Sequence, residues 1–145
     1  MSTNPRIATS FFGTIFIGFG INAIIRPENA LSFFELPYAT IPPAHKQLVD
    51  ALLAVYGVRD IFMGLVLYLA SYFGDRRTLG WVVLAAAGVG FADGAVCKWM
   101  IGAGEFNHWG YAPVLVMRTL PAFNPLPRHD GGIFETYVAY MLTLR

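Results

Sequence analysis

The chain has 145 residues, of which 56% are hydrophobic and only 13% are charged, and its mean hydropathy is +0.53. A soluble domain usually carries about 25% charged residues, so this composition predicts a single membrane-embedded domain over residues 1–145. The formal net charge of +1 provides no general electrostatic attraction to nucleic acid. The lone cysteine, Cys97, excludes an intrachain disulfide and a cysteine-based metal cluster.

Four apolar stretches predict transmembrane helices over residues 7–25, 51–73, 79–101 and 130–144. The first three can cross ~30 Å of hydrocarbon at ~1.5 Å per residue, whereas the fourth is short for this task. Residues 103–128 are rich in proline and polar side chains, which predicts an irregular loop that acts as a lid. The predicted fold class is an all-α membrane protein, a four-transmembrane-helix bundle with a long loop between helices 3 and 4.

Four prolines between residues 27 and 43 make the stretch after the first span unsuited to a long helix. Its aromatic residues fit a segment at the membrane interface; they include Phe33, Phe34 and Tyr38. The short Arg76-Arg77 turn favours termini on the cytosolic side. We therefore expect a multi-pass integral membrane protein, located in the endoplasmic reticulum if the source is eukaryotic.

The run Gly57-Val58-Arg59-Asp60 places an arginine and an aspartate side by side inside the second apolar span. Ionisable side chains at this depth are costly, and they usually mark a functional site. Asp60 lies about eight residues, or ~12 Å, from the loop end of its span, and Asp93 lies equally far from the corresponding end of the antiparallel third span. The spacing therefore predicts that Arg59, Asp60 and Asp93 lie at one depth.

Each aspartate shares a helical face with small residues, which favours an orientation into the bundle. On the second span this face comprises Leu53, Gly57, Asp60 and Gly64, and on the third it comprises Ala86, Gly90, Asp93 and Cys97. The pattern Gly90-x-x-x-Gly94 permits another helix to approach closely. Glycines at positions 13, 18 and 20 allow a homodimer contact without requiring one.

Four other polar residues are expected near the aspartates on the same side of the membrane: Tyr56, Asn22, His129 and Glu135. Because the acids outnumber the single arginine, at least one carboxyl must be protonated or face water. A neutral carboxyl beside an ionised one is an arrangement that acid–base catalysis uses. The simpler alternative is a structural network in which Arg59 neutralises both acids and pins the helices together. The histidines lack ligand spacing, so neither a metal nor another cofactor is predicted.

The Arg26-Pro27 stop, the Gly57-Val58-Arg59-Asp60 run with Gly64, Asp93, and His129 resemble the pattern of a widespread family. That family comprises small four-helix integral membrane proteins and is described as a domain of unknown function. The resemblance covers most of the chain, although residues 103–127 look longer than the usual third loop of the family. In size and character the chain is also similar to small membrane proteins of fungal polyketide pathways, assigned as epoxide hydrolases or cyclases of the aurovertin and citreoviridin type.

The second resemblance implies an enzyme that opens the epoxide of a lipophilic, polyketide-like substrate with water or an internal hydroxyl. Asp60, Asp93 and Arg59 fit this chemistry, because ring opening needs an acid, a base and a group that holds both. Tyr56, His129, Glu135 and Asn22 would support the reaction or bind the substrate. Two other functions stay open: a non-catalytic protein that binds a lipid-like ligand or partner helix, and a proton-shuttling sterol or terpene isomerase.

Overall fold

The computed structural model describes residues 3–123, and this part of the chain is all-helical. A 3-10 turn, Tyr38–Thr40, precedes the third α-helix, and a π-helical turn, Cys97–Ile101, extends the fourth. The α-helices in chain order are α1 (Thr3–Ile25), α2 (Pro27–Ser32), α3 (Pro43–Phe73), α4 (Arg76–Val96), α5 (Glu105–Trp109) and α6 (Ala112–Phe123).

Within residues 3–123, three helical segments are long and apolar enough to cross a membrane: Arg6–Ile25, Pro43–Phe73 and Arg76–Ile101. They correspond to the first three predicted spans. The second begins at Pro43 instead of residue 51, because proline suits the first turn of a helix, where its missing N–H group removes no hydrogen bond. The predicted fourth span, residues 130–144, lies outside the described residues.

The predicted lid is not an irregular loop where the structure describes it, because α5 and α6 occupy most of residues 105–123. The prediction was wrong because it treated proline as a helix breaker, whereas Pro113 lies in the first turn of α6. Gly102 and Gly104 have φ angles of 81° and 84°, which glycine adopts without steric cost. They turn the chain after α4, so that α5 and α6 fold back and pack against that helix.

The helices α1 and α3 pack antiparallel through glycines at matched positions. A methyl group added at Gly20 would overlap the carbonyl oxygen of Gly57, and one added at Gly64 would lie 2.6 Å from the carbonyl oxygen of Gly13. Only very small residues permit backbones to approach this closely. Gly13 and Gly20 thus belong to an intramolecular contact and not to the dimer surface that the sequence allowed, whereas Gly18 faces open space.

The buried face of α3 agrees with the predicted stripe of Leu53, Gly57, Asp60 and Gly64, and continues to Leu67. Leu53 packs in an apolar cluster with residues of α1 and α2, and Leu67 packs in a second cluster with residues of α4 and α6. Asp60 lies midway between these two leucines along the helix. It therefore sits in a polar layer with an apolar cluster on each side.

The glycine contact predicts a difference between two neighbouring substitutions on α1. We expect Gly20→Ala to lower the free energy of unfolding by about 1–3 kcal/mol, because the added methyl group forces the two backbones apart. Gly18→Ala is the matched control, and it should be neutral or stabilising by up to about 1 kcal/mol because alanine favours the helix. Unfolding in detergent micelles, followed by circular dichroism, measures both values. Equal losses would contradict the proposed backbone contact.

Candidate functional site

Arg59 connects two aspartates that lie on neighbouring helices. Its Nη1 and Nη2 atoms donate to the two carboxylate oxygens of Asp93 at 3.0 and 2.8 Å, a bidentate contact between α3 and α4. Its Nε and Nη2 atoms also donate to Oδ1 of Asp60 at 3.3 and 3.1 Å. The structure thus brings together the three residues that the sequence spacing puts at one depth.

The two aspartates have different surroundings. Asp93 accepts both guanidinium bonds and a third bond, of 3.4 Å, from the hydroxyl of Tyr56. The Asp60 side chain is 5% exposed, and it accepts hydrogen bonds from Arg59 through Oδ1 alone. Among the described residues, none donates a hydrogen bond to its Oδ2 atom. Asp60 lines a cavity to whose described lining Asp93 does not belong. Asp93 is therefore the anchored acid, and Asp60 is the acid that faces free space.

Tyr56 lies one helical turn before Arg59 and holds the guanidinium in place. The Cζ atom of Arg59 lies 4.0 Å from the centroid of the Tyr56 ring, which is the geometry of a cation–π contact. The ring of Phe34 packs edge-on against Tyr56 at 5.4 Å between centroids. Tyr56 therefore links the ion pair to residues 33–37, the segment after α2, and its side chain also forms part of the cavity wall.

The cavity beside Asp60 has a volume of about 40 Å³, which is room for about three waters at ~10–15 Å³ each. Phe16, Phe19 and Phe33 contribute to its apolar wall. Phe19 and Phe33 are exposed and contact each other edge to face at 5.4 Å. We therefore place the mouth of the cavity at these two rings. The polar wall comprises Asn22, Tyr56, Asp60, Asn107, His108 and Tyr111.

The short helix α5 brings two polar residues to the cavity and is itself held at several points. Glu105 accepts a bond of 2.6 Å from Nζ of Lys98, and Nε1 of Trp109 donates to the carbonyl oxygen of Phe91 at 3.1 Å. Asn107 donates to the carbonyl oxygen of Phe33 at 2.9 Å and to the Glu35 carboxylate at 3.2 Å. These bonds fix α5 between α4 and the segment after α2.

Two side chains of the cavity wall that lie outside the membrane-length helices have shifted pKa values. Burial raises the pKa of Tyr111 to about 12, and the nearby Asp93 and Asp60 add to the shift, so the phenol stays protonated at neutral pH. Burial lowers the pKa of His108 below its ordinary value of 6.5, an effect that Asp93 opposes and Arg59 reinforces. At neutral pH Tyr111 can therefore donate a hydrogen bond, and His108 carries no charge.

The remaining residues predicted for the site have different outcomes. Asn22 does line the cavity, and its Nδ2 atom donates to Oδ1 of Asn29 at 3.0 Å. His129 and Glu135 lie outside the described residues. Within residues 3–123, no group of three His, Cys, Asp or Glu side chains is arranged to hold a metal ion. The Gly90-x-x-x-Gly94 pattern admits the aromatic rings of Tyr111 and Trp109, not the backbone of another helix.

Sequence reasoning missed Asn107, His108 and Tyr111, because it assigned their stretch to an irregular loop. A signal was nevertheless present. In a chain with few polar residues, the run Glu105-Phe106-Asn107-His108-Trp109 carries four side chains that can form hydrogen bonds, directly after two closely spaced glycines. Such a dense polar run next to the end of a membrane span indicates a segment that folds back onto buried polar groups.

Comparison with known protein families identifies the chain. Residues 13–120, well over half of the sequence, match the family described as Domain of unknown function (DUF4267). The chain belongs to this family. The DUF4267 region contains Arg59, Asp93 and every residue that lines the cavity, whereas His129 and Glu135 lie beyond it. No curated protein and no solved structure matches the chain.

The unequal surroundings of the aspartates predict unequal effects on stability. Asp93→Asn should lower the free energy of unfolding by about 1.5–3 kcal/mol, because Arg59 loses the charged partner that it grips with two nitrogens. Asp60→Asn should cost less, since it loses contacts at one oxygen only and leaves one arginine facing one carboxylate. Unfolding in detergent micelles compares the variants. A larger loss for Asp60→Asn would contradict the assignment of Asp93 as the anchored acid.

The ion pair that holds α5 predicts a pH dependence. The Lys98 ammonium, together with a backbone hydrogen bond, holds the pKa of Glu105 below its ordinary value of 4.5. Because the folded pKa lies below the unfolded one, the contact stabilises the fold above pH 4.5 and is lost as the pH falls through the lower folded value. In Lys98→Met, a ¹³C NMR titration should show the pKa of Glu105 returning towards 4.5.

Lys46→Met is the matched control for this titration, because Lys46 lies over the ring of Tyr38 and does not contact Glu105. The control should leave the Glu105 titration unchanged. An unchanged titration in Lys98→Met as well would show that the lysine does not hold the carboxylate of α5.

Proposed function

We propose that this DUF4267 protein is an intramembrane acid–base enzyme that opens the epoxide of a lipophilic, polyketide-like substrate. The attacking oxygen comes from water or from a hydroxyl of the substrate, so the product is a diol or a cyclic ether. The observation that carries the proposal is the setting of Asp60: a buried carboxyl with one oxygen free of protein donors among the described residues, facing a cavity with aromatic walls.

The charge balance of the site supports a proton on Asp60. Arg59 carries one positive charge, whereas two ionised aspartates would carry two negative charges, and an uncompensated buried charge is costly. Asp93 accepts hydrogen bonds from three donor atoms on both of its oxygens, which suits an ionised carboxylate. We therefore assign the proton to Oδ2 of Asp60, the oxygen on which no described residue places a donor.

Ring opening needs an acid at the departing oxygen and a base at the attacking one. In the proposed reaction Asp60 gives its proton to the epoxide oxygen as one C–O bond breaks. A base in the cavity wall takes the proton of the water or hydroxyl as the new C–O bond forms. Arg59 stabilises the resulting Asp60 carboxylate, and Asp93 and Tyr56 hold Arg59 in place. Asp93 thus has a positioning role, not the catalytic role shared with Asp60 in the sequence-based prediction.

The surroundings of the cavity support a lipophilic substrate. Its mouth is flanked by the exposed rings of Phe19 and Phe33, and the described part of the chain has three helices able to cross a membrane. A volume of about 40 Å³ accommodates a small oxygenated ring, so the rest of the substrate would extend past the mouth. The similarity in size and character to epoxide hydrolases and cyclases of fungal polyketide pathways agrees with this proposal. In a eukaryotic cell we expect the enzyme in the endoplasmic reticulum membrane.

The test is turnover by the detergent-purified protein on a panel of long-chain epoxides, with and without an internal hydroxyl. We expect Asp60→Asn to lower kcat by about 10²-fold or more, because the amide cannot supply the acidic proton. Asp50→Asn is the matched control: it makes the same change on the same helix, at a residue that accepts from Tyr38 outside the cavity lining, and it should leave kcat unchanged.

Reaction in ¹⁸O-labelled water identifies the nucleophile. Label in a diol product indicates attack by water, whereas an unlabelled cyclic ether indicates attack by the substrate hydroxyl. Full turnover by Asp60→Asn would overturn the acid role of this residue. If no epoxide reacts and the Asp60 and Asp93 variants lose only stability, the structural charge network is the better account of the site.

A further inference from the structure

We infer that His108 is the base of this site: its Nε2 atom accepts the proton of the attacking water or hydroxyl while Asp60 protonates the epoxide oxygen. The inference rests on the proposed function, since it names the second proton-transfer group of the same reaction. Two observations carry it. Nε2 of His108 is buried without a hydrogen-bond partner in the described residues, and His108 and Asp60 line the same cavity.

The arrangement of α5 makes His108 an exception among its neighbours. Glu105 is paired with Lys98, Asn107 is bonded to the segment after α2, and Trp109 is bonded to α4. His108 is only 5% exposed, yet its Nε2 atom has no partner among residues 3–123. Buried polar atoms are nearly always hydrogen-bonded, and each exception calls for an explanation. Because His108 lines the cavity, a ligand or a water molecule there can be the hydrogen-bond partner of Nε2.

The His108 ring is also held in a defined place. Phe34 contacts it with centroids 5.1 Å apart and contacts Tyr56 at 5.4 Å, so a series of ring contacts connects α5 to the helix that carries Asp60. A base must be positioned before the reaction, because proton transfer requires hydrogen-bond distance to the nucleophile. These ring contacts and the hydrogen bonds that hold α5 provide this positioning.

The charges around His108 leave it able to accept a proton. The charged groups near it are Asp93 of α4 and Arg59 of α3, and the remaining titratable groups of the cavity wall are Asp60, Tyr56 and Tyr111. Burial lowers the pKa of the imidazole, so it is neutral at pH 7. When it takes a proton, the Asp60 carboxylate that forms at the same time balances the new charge.

The proton balance of the cycle closes without any external reagent. With water as nucleophile, one epoxide C–O bond breaks and one new C–O bond forms. The water proton goes to Nε2 of His108, and the Asp60 proton goes to the departing oxygen. The diol leaves, and the proton on His108 returns through cavity water to Asp60. With an internal hydroxyl as nucleophile, the same transfers give the cyclic ether.

Kinetics separate this role from that of an aromatic side chain that only fills space. His108→Phe keeps a ring against Phe34 but removes both nitrogens, and His108→Gln keeps a polar group that does not titrate. We expect both variants to lower kcat by about 10²-fold or more on the epoxide panel, with unfolding temperatures close to that of the wild type. His45→Gln is the control, because His45 is exposed near the start of α3.

The pH profile gives a second kinetic readout. For the wild type, kcat/KM should rise with pH along an acidic limb as His108 loses its proton, and the pKa of this limb should lie below 6.5. In His108→Gln this acidic limb should disappear. Full activity in His108→Phe, or an unchanged acidic limb in His108→Gln, would overturn the inference and leave the proposed function standing.

A binding measurement tests His108 even if no epoxide reacts. In protein with ¹⁵N-labelled histidine, the His108 signals are assigned by their loss in His108→Gln. Adding 1,2-hexanediol, which resembles the product, should shift the Nε2 resonance of His108, whereas hexane should not, because only the diol can form a hydrogen bond to this atom. If 1,2-hexanediol leaves the resonance in place, His108 does not face the reacting oxygen and the inference fails.

Discussion

The bidentate hydrogen-bonded ion pair between Arg59 and Asp93 is the interaction on which the rest of the site depends. α3 packs closely against α1 through glycines, whereas α4 packs against α5 and α6. The guanidinium spans these two groups of helices, gripping Asp93 of α4 and Asp60 of its own helix together. Arginine suits this task because its planar fork offers five donors and stays charged. Lysine, with a single ammonium group, could not hold the two carboxylates in fixed directions.

The apolar surroundings strengthen this contact between charged groups and make any unbalanced charge beside it costly. The layer that contains Asp60 lies between two apolar clusters, and the Asp60 side chain is only 5% exposed. Charge interactions strengthen in such a setting, and any unbalanced charge becomes costly. Anchoring one acid with three donors leaves the other to face the cavity. In the proposed reaction this second carboxyl is the acid, so the structural and the catalytic interpretations concern different residues of the same network.

The sequence determined the parts of the protein that depend on local periodicity. Apolar length predicted the three membrane-length helices, and the 3.6-residue repeat predicted that Leu53, Gly57, Asp60 and Gly64 share the buried face of α3. Counting residues from the ends of antiparallel spans put Asp93 level with Arg59. These inferences succeeded because a helix converts sequence distance into spatial distance with a fixed rise per residue.

Only the tertiary structure decided which acid faces the cavity and which residues complete its wall. That choice depends on α5, a helix that the proline-rich composition did not predict. Contacts between distant positions hold α5 in place: Asn107 donates to the carbonyl oxygen of Phe33, 74 residues earlier. No periodicity relates such positions, because they meet only after the glycine turn after α4 folds the chain back. The sequence thus determined the depth and identity of the charged residues, whereas long-range packing determined that His108 shares a cavity with Asp60.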